Sequence, residues 1–398
     1  MKFKKIAISS AIALSVAAPL SYAESSPLIA PEYGKLTLDT RLRYEDVDDD
    51  SAANDADAFT LRARLGYLTP DFAGFKAFAE LESTIPLGDR EYNDLRGHGA
   101  GYSVIADPDN NELNRGWISY SGFEDTLIKF GRQRIILDNA RFIGNVGWRQ
   151  NEQTFDALTL ANTSLQDTKI VVGYIDTIKT ILGTNVEADI PLVNIKYSGL
   201  PFGDLSAYGY FIDYDDSATS DRDTIGLRFK GATAVSDNVK VLYTAEYAQQ
   251  EIDRATLSDE EVDYYFLEGG LSFAGITAKI SHEVQEGSNG ASFKTPLGTN
   301  HAFNGWADQF LGTPGDGLED TFVTLSTKVA GVKLALIYHE FDAEDSSIDY
   351  GDELDFVAVK KINSQLTVLA KYATYSRGDV ASGKSDKDKF WIQAEMKF

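Results

Sequence analysis

Phe390-Trp391-Ile392-Gln393-Ala394-Glu395-Met396-Lys397-Phe398 alternates apolar and polar side chains up to an aromatic carboxyl terminus. Alternate side chains of a strand point to opposite faces, so this segment has one greasy face and one wet face. Such a strand suits a wall between lipid and water. A soluble sandwich strand can show the same alternation, and the rest of the chain has to decide between them.

The other end points to the same compartment. Lys2, Lys4 and Lys5 precede an apolar stretch from Ile6 to Leu20, and Ser21-Tyr22-Ala23 supplies the small residues that a signal peptidase reads. Residues 1–23 are therefore read as a signal peptide and residues 24–398 as a single barrel domain. The apolar stretch is shorter than the ~20 residues of a spanning helix, and no other segment qualifies. The chain has no cysteine, which excludes a disulfide framework, a thiol nucleophile and a thiolate metal site. Its formal charge of −24 falls to −27 without the three leader lysines, which argues against nucleic acid as a partner. The acids crowd into Glu45 to Asp50, Asp213 to Asp223, Ser258 to Asp263 and Asp342 to Asp355, read as solvated connections or divalent-cation contacts at a lipopolysaccharide surface.

Strand-like segments recur, and short connections alternate with long polar ones. Lys35 to Tyr44, Phe59 to Leu68 and Phe75 to Ile85 come first, with an acidic loop after the first and the tight turn Thr69 to Gly74 after the second. The same reading continues to Lys389 to Phe398 and predicts an all-β, transmembrane antiparallel β-barrel of about eighteen strands. The least distinct segments are Gln153 to Leu160 and Leu192 to Tyr197, so sixteen strands is the alternative count. The expected setting is the bacterial outer membrane, with lipopolysaccharide, phospholipid and the barrel-assembly machinery as partners.

Strand parity assigns the remaining side chains to the lumen. It sends Arg41, Arg43, Arg62, Arg64, Lys76, Arg115, Lys129, Arg228, Lys279 and Lys371 inward, with Lys169, Lys230, Lys240, Lys328 and Lys333. An arginine facing lipid at the midplane costs ~2–4 kcal/mol, so inward placement has a physical cause apart from function. Two readings follow. The charges pair and merely hydrate a channel, or unpaired Arg41, Arg43, Arg62 and Arg64 form a guanidinium track for carboxylates, which the planar fork of arginine binds bidentately. Arg132 and Arg134 share the parity of the apolar Ile128 and Phe130. They turn inward only if Gly131 bulges, and otherwise lie above the hydrocarbon zone.

Two stretches are rich in glycine, asparagine and aromatics: Phe130 to Asn151, containing Asp138-Asn139-Ala140-Arg141-Phe142-Ile143-Gly144-Asn145-Val146-Gly147-Trp148-Arg149, and Thr295 to Leu311, containing Asn300-His301-Ala302-Phe303-Asn304-Gly305-Trp306. With the barrel rhythm around them, they resemble the alginate-export-type outer-membrane porins. That resemblance implies a monomeric barrel with a basic lumen that passes an anionic polysaccharide or smaller anions by diffusion, without a cofactor. The mature chain is short beside the alginate exporter itself and has no obvious long plug loops. Read from the residues alone, Arg141, Trp148, Arg149, Phe303 and Trp306 form a constriction if these loops enter the pore. Phe142 and Phe310 fit a packed extracellular cap better.

An enzyme is the competing class, since some outer-membrane barrels are hydrolases. The histidines are His98, His282, His301 and His339. Ser281 and His282 are adjacent, so a strand puts them on opposite faces and prevents a nucleophile–base pair. No hydrolase signature or metal-ligand spacing surrounds the others. The expectation is therefore a channel for small hydrophilic, anionic solutes or acidic sugars, with a barrel enzyme of phospholipase or protease type, or a closed structural or adhesive barrel, as alternatives.

Overall fold

The computed structural model describes residues 31–398 apart from 217, 255 and 256; the leader expected over residues 1–23 lies outside the described residues. Eighteen strands form one antiparallel sheet. In chain order they are β1 (Lys35–Asp49), β2 (Ala56–Leu68), β3 (Phe75–Pro86), β4 (Asn110–Tyr120), β5 (Thr126–Gln133), β6 (Thr154–Asn162), β7 (Thr168–Lys179), β8 (Asn185–Leu200) and β9 (Gly203–Tyr214). Next come β10 (Asp221–Ser236), β11 (Val239–Asp253), β12 (Glu260–Phe273) and β13 (Ile276–Gln285). A small hairpin, β14 (Gly287–Ser288) with β15 (Ala291–Ser292), lies in the following loop outside the barrel sheet. The barrel resumes with β16 (Leu318–Val329), β17 (Val332–Asp342), β18 (Asp349–Lys361), β19 (Leu366–Arg377) and β20 (Lys387–Lys397).

Each barrel strand pairs with its sequence neighbour in the barrel, and β20 closes the cylinder on β1, with Tyr44 opposite Ile392 and Asp39 opposite Lys397. Closure leaves no free edge, which a bilayer requires because unpaired backbone groups find no water there. The two segments least distinct in sequence are both strands, so the count is eighteen rather than sixteen. Several strands run further outward than their apolar alternation: β1 continues to Asp49 and β8 begins at Asn185. Above the bilayer the ladder can continue at no cost to charged side chains, so the acidic runs Glu45 to Asp49 and Asp349 to Asp355 are strand.

The outward face carries exposed Leu65, Ile118, Phe130, Leu227 and Ile280. Aromatics gather beside the short turns, with Phe75, Tyr120 and Phe123 in successive contact at 4.5 and 5.3 Å. Phe202, Phe229 and Tyr243 repeat this further round. Such girdles mark the lipid–water boundary.

The interior is filled by two long loops, 134–153 between β5 and β6 and 286–317 between β13 and β16. Phe142, Ile143, Phe293 and Leu297 pack on Phe155, Ile190, Tyr208, Tyr210 and Tyr264 of the wall. Trp306, Ala307 and Phe310 pack on Phe341, Tyr350, Tyr375 and Trp391. Each large side chain so buried stabilises the docked loops by about 1.5–3 kcal/mol. These loops do enter the lumen, contrary to the reading that the chain has no plug loops. Their apolar residues find partners on inner-wall strand positions that sequence alone does not bring near them.

Candidate functional site

The candidate site starts from four arginines on β1 and β2. All four face inward and are buried, but none is a free guanidinium. Arg41 bonds Glu395 at 3.0 Å, and Arg62 reaches Asp39 at 2.5 Å and Glu395 at 3.4 Å. Arg64 pairs with Glu82 and lies 3.5 Å from Glu152. Arg43 donates to Gln393 at 2.6 Å and has Asp107 at 3.7 Å. The expected track of unpaired arginines is therefore corrected: the register of β20 against β1 sets Glu395 directly opposite Arg41, and Glu82 on β3 lies opposite Arg64.

What these arginines grip is loop 134–153. Arg41 donates to the carbonyls of Gly147, Trp148 and Arg149 at 3.0–3.1 Å, and Arg43 donates to Trp148 O at 2.7 Å. Arg149 returns to the wall and donates to both oxygens of Glu45 at 2.8 Å. Glu152 accepts from Arg134 at 2.5 and 2.6 Å and from Asn114 and Asn145 at 2.6 Å. Burial raises the Glu152 carboxyl, but Arg134 and Arg64 outweigh it and hold it well below the usual carboxylate range. Asn114 reaches Glu152 because β4 carries one extra residue there, a bulge between the pairs Glu80↔Arg115 and Leu81↔Leu113.

The two loops meet at His301. Its ring stacks on Trp148 at 4.6 Å and 8°, its Nδ1 lies 2.5 Å from Asp308 Oδ1, and its Nε2 lies 2.7 Å from Lys371 Nζ. Burial lowers this imidazole to about 3 against the pull of Asp308, so the ring is neutral. A neutral ring donates from Nδ1 to Asp308 and accepts at Nε2 from Lys371, which fixes the tautomer. Lys371 Nζ sits 3.7 Å from the Trp306 ring, 4.1 Å from Trp148 and 5.2 Å from Trp391, and Lys389 holds the other Asp308 oxygen at 2.6 Å. Arg43 lies 4.2 Å over the opposite part of this assembly, on the Trp148 ring. Bases and indoles thus alternate across the lumen.

The remaining expected residues have definite places. Arg141 is buried and fully engaged, with Glu283 at 2.7 Å, Gln285 at 2.7 Å and Asn304 at 2.8 Å, and Phe303 lies 4.8 Å from its guanidinium. Arg115 chelates Glu80 over the Phe78 ring, and Lys129 lies over Trp117 at 4.7 Å. Arg228 pairs with Glu246, Lys279 with Glu268 at 3.1 Å, and half-exposed Lys76 lies 3.8 Å from Asp71 by a short turn. Arg132 does not line the lumen. It shares the outward parity of Phe130 and bonds Asp156 at 2.7 and 2.8 Å, because Gly131 takes φ +113° without shifting the register against β6. Arg134, one residue past the end of β5, turns inward to Glu152. Phe142 and Phe310 are buried in the packed loop clusters.

Lower on the inner wall the balance of charge changes. Lys230, Lys240, Lys328 and Lys333 share the inward parity of Arg228, Glu246, Ser326 and Ala335 and make no ion pair among the described residues; Asp204, opposite Lys230, is held by Lys196 at 2.7 Å. Lys328 and Lys333 even face each other across β16 and β17. Sequence reasoning placed these lysines inside but put the weight on the arginines. It also passed over Glu45, Asp107, Glu152 and Asp308 as site residues; Trp391 was placed on the wet, inward face of β20 by parity, but its indole cluster was not foreseen.

Ser281 and His282 do not pair with each other: Ser281 is buried inside, while His282 meets Thr321 on the other face. The description that matches the chain is alginate export, over residues 33–306. Comparison with curated proteins yields no match. Among solved structures, Acinetobacter baumannii OccAB2 has 14% identity and a TM-score of 0.73, covering 91% of this chain and 97% of its own. Pseudomonas aeruginosa OccK9 (OpdG) has 13% identity and a TM-score of 0.71 over 91% and 98% of the two chains. Pseudomonas aeruginosa OpdK, solved with vanillate, has 12% identity and a TM-score of 0.69 over 91% and 98%. These likenesses carry the fold.

Proposed function

The chain belongs to the alginate export family of outer-membrane channels, and from that premise we propose that it passes small organic anions, carboxylate-bearing rings or acidic sugars, by passive diffusion. The observation that carries this reading is the uneven pairing of lumenal charge. The arginines of the constriction are neutralised in place, whereas Lys230, Lys240, Lys328 and Lys333 on the lower wall make no ion pair among the described residues, and Lys328 faces Lys333. Fixed like charges on a low-dielectric wall raise the local concentration of counter-ions and favour anion entry. The close packing of loops 134–153 and 286–317 favours small solutes over a polymer. The vanillate of the OpdK structure fits the same solute class.

Residues 1–23 are proposed as the cleaved leader, and lipopolysaccharide with the barrel-assembly machinery as partners in the membrane. The test is planar-bilayer recording in a salt gradient. The wild type is expected to show an anion-selective reversal potential that shrinks or inverts in a Lys230→Glu/Lys328→Glu/Lys333→Glu variant. An unchanged potential in that variant, or cation preference in the wild type, rejects the lysine wall as the selectivity element. A closed structural barrel is the second reading, favoured by the complete burial of Arg43, Arg62 and Trp391; it predicts no conductance at all.

A further inference from the structure

Loop 87–109, between β3 and β4, brings two of its arms together outside the constriction. Asp94, on the first arm, is buried. Its Oδ1 accepts from the backbone N–H of Arg96 at 2.7 Å and of His98 at 3.1 Å, which fixes the carboxylate and turns Oδ2 to His98 Nδ1 at 2.8 Å. Asp109 comes from the second arm. One ligand atom from each of Asp94, His98 and Asp109 lies within 4.8 Å of the other two.

A cation already sits against this trio. Arg90 Nη1 lies 3.3 Å from both ring nitrogens of His98, hence over the ring rather than in its plane. The same guanidinium bonds Asp109 at 3.1 and 3.0 Å. Its side chain is partly exposed and comes from the chain surface, so it can swing into solvent without disturbing any packed cluster.

We propose that Asp94, His98 and Asp109 form a binding site for a divalent metal ion of the zinc class, with Arg90 as the resident cation that the metal displaces. One imidazole nitrogen with two carboxylate oxygens is a zinc-type donor set, completed by water. Calcium and magnesium take oxygen-only shells and do not recruit the histidine. Displacement of Arg90 exchanges one positive group for another, so the two carboxylates stay compensated throughout.

The site bears on the channel through Asp107, two residues before Asp109. Asp107 Oδ1 accepts the Gln150 N–H at 2.8 Å, and its Oδ2 lies 3.7 Å from both Arg43 and Arg149. A metal that staples the two arms of loop 87–109 therefore steadies the carboxylate that clamps loop 134–153.

Zinc titration of the purified, folded full chain by calorimetry in chelator-treated buffer tests this. One ion per barrel is expected, with His98→Ala weakening the affinity at least tenfold and Arg90→Ala strengthening it. Magnesium in tenfold excess is expected not to compete. Heat-modifiable gel mobility confirms that each variant is a folded barrel. Absence of zinc binding, affinity unchanged in both His98→Ala and Asp109→Asn, or displacement by magnesium overturns the assignment.

Discussion

Glu152→Gln isolates the clamp on the constriction loop. The carboxylate is fully buried and takes a bidentate bond from Arg134, amide bonds from Asn114 and Asn145, and the field of Arg64 at 3.5 Å. Glutamine keeps the shape but replaces one acceptor oxygen with an NH2 group aimed at guanidinium donors. Removing one member of a buried ion pair costs ~3–5 kcal/mol, because the partner charge is left uncompensated. Arg64 retains Glu82 and Arg134 has Glu80 at 4.0 Å, so the low end of that range applies. At 1.4 kcal/mol per decade, about 3 kcal/mol raises the undocked population of the loop on the order of 100-fold. Hydrogen–deuterium exchange reads this at Gly144 N–H, bonded to Leu297 O, and at Gln153 N–H, bonded to Asn145 O. Exchange at both is expected to accelerate about 100-fold while the barrel strands keep their protection. Acceleration below threefold in the folded variant would refute the clamp.

Further outcomes follow from the same geometry. His301 has its imidazole lowered by burial to about 3, so docking of its loop is fully favourable above the unfolded value of ~6.5 and weakens by about 1.4 kcal/mol per pH unit as pH falls through that window. Exchange at Phe303 N–H, bonded to Asn300 O, corrected for intrinsic rate, is expected to rise roughly tenfold per unit below pH 6.5; a flat profile between pH 7 and 4 would contradict the neutral assignment. Trp391→Ala empties the base of the indole cluster around Lys371 and is expected to destabilise the folded protein by ~3–5 kcal/mol, measured by urea unfolding in micelles; a loss under 1 kcal/mol would mean the cluster carries no weight. Gly131→Ala adds a Cβ that would sit 2.4 Å from Gly116 O at a φ of +113°, and a folded yield equal to wild type would show that β5 does not need that turn.

The lysine wall also illustrates how far strand parity reaches. Parity placed Lys230, Lys328 and Lys333 on the inner face from sequence alone, because the alternation of Phe229, Leu325 and Leu334 admits one assignment. The same rule holds at Arg132, which keeps the outward parity of Phe130 beside Asp156; whether Gly131 bulges lies beyond parity, and the register there does not shift. Asn114 lies beyond the rule as well, since a one-residue bulge is a property of the pairing between β3 and β4 and not of either strand.

Sequence by itself determined the barrel. Period-two alternation fixes each strand, the short and long connections fix their antiparallel order, and the wet and greasy faces of Phe390 to Phe398 fix which side meets lipid. Those signals are local, so neighbours in the chain suffice to read them. Tertiary structure alone decided what fills the lumen. Arg41 meets Glu395 across 354 positions of sequence and Arg141 meets Asn304 across 163, contacts that exist only after the cylinder closes in one register. A one-residue slip of β20 on β1 would send Glu395 to the lipid face and leave Arg41 without its carboxylate. Whether an inward arginine is a free anion site or a structural clamp depends on what closure places opposite it, and here the register placed Glu395 opposite Arg41 and Glu82 opposite Arg64, while Lys328 and Lys333 face each other.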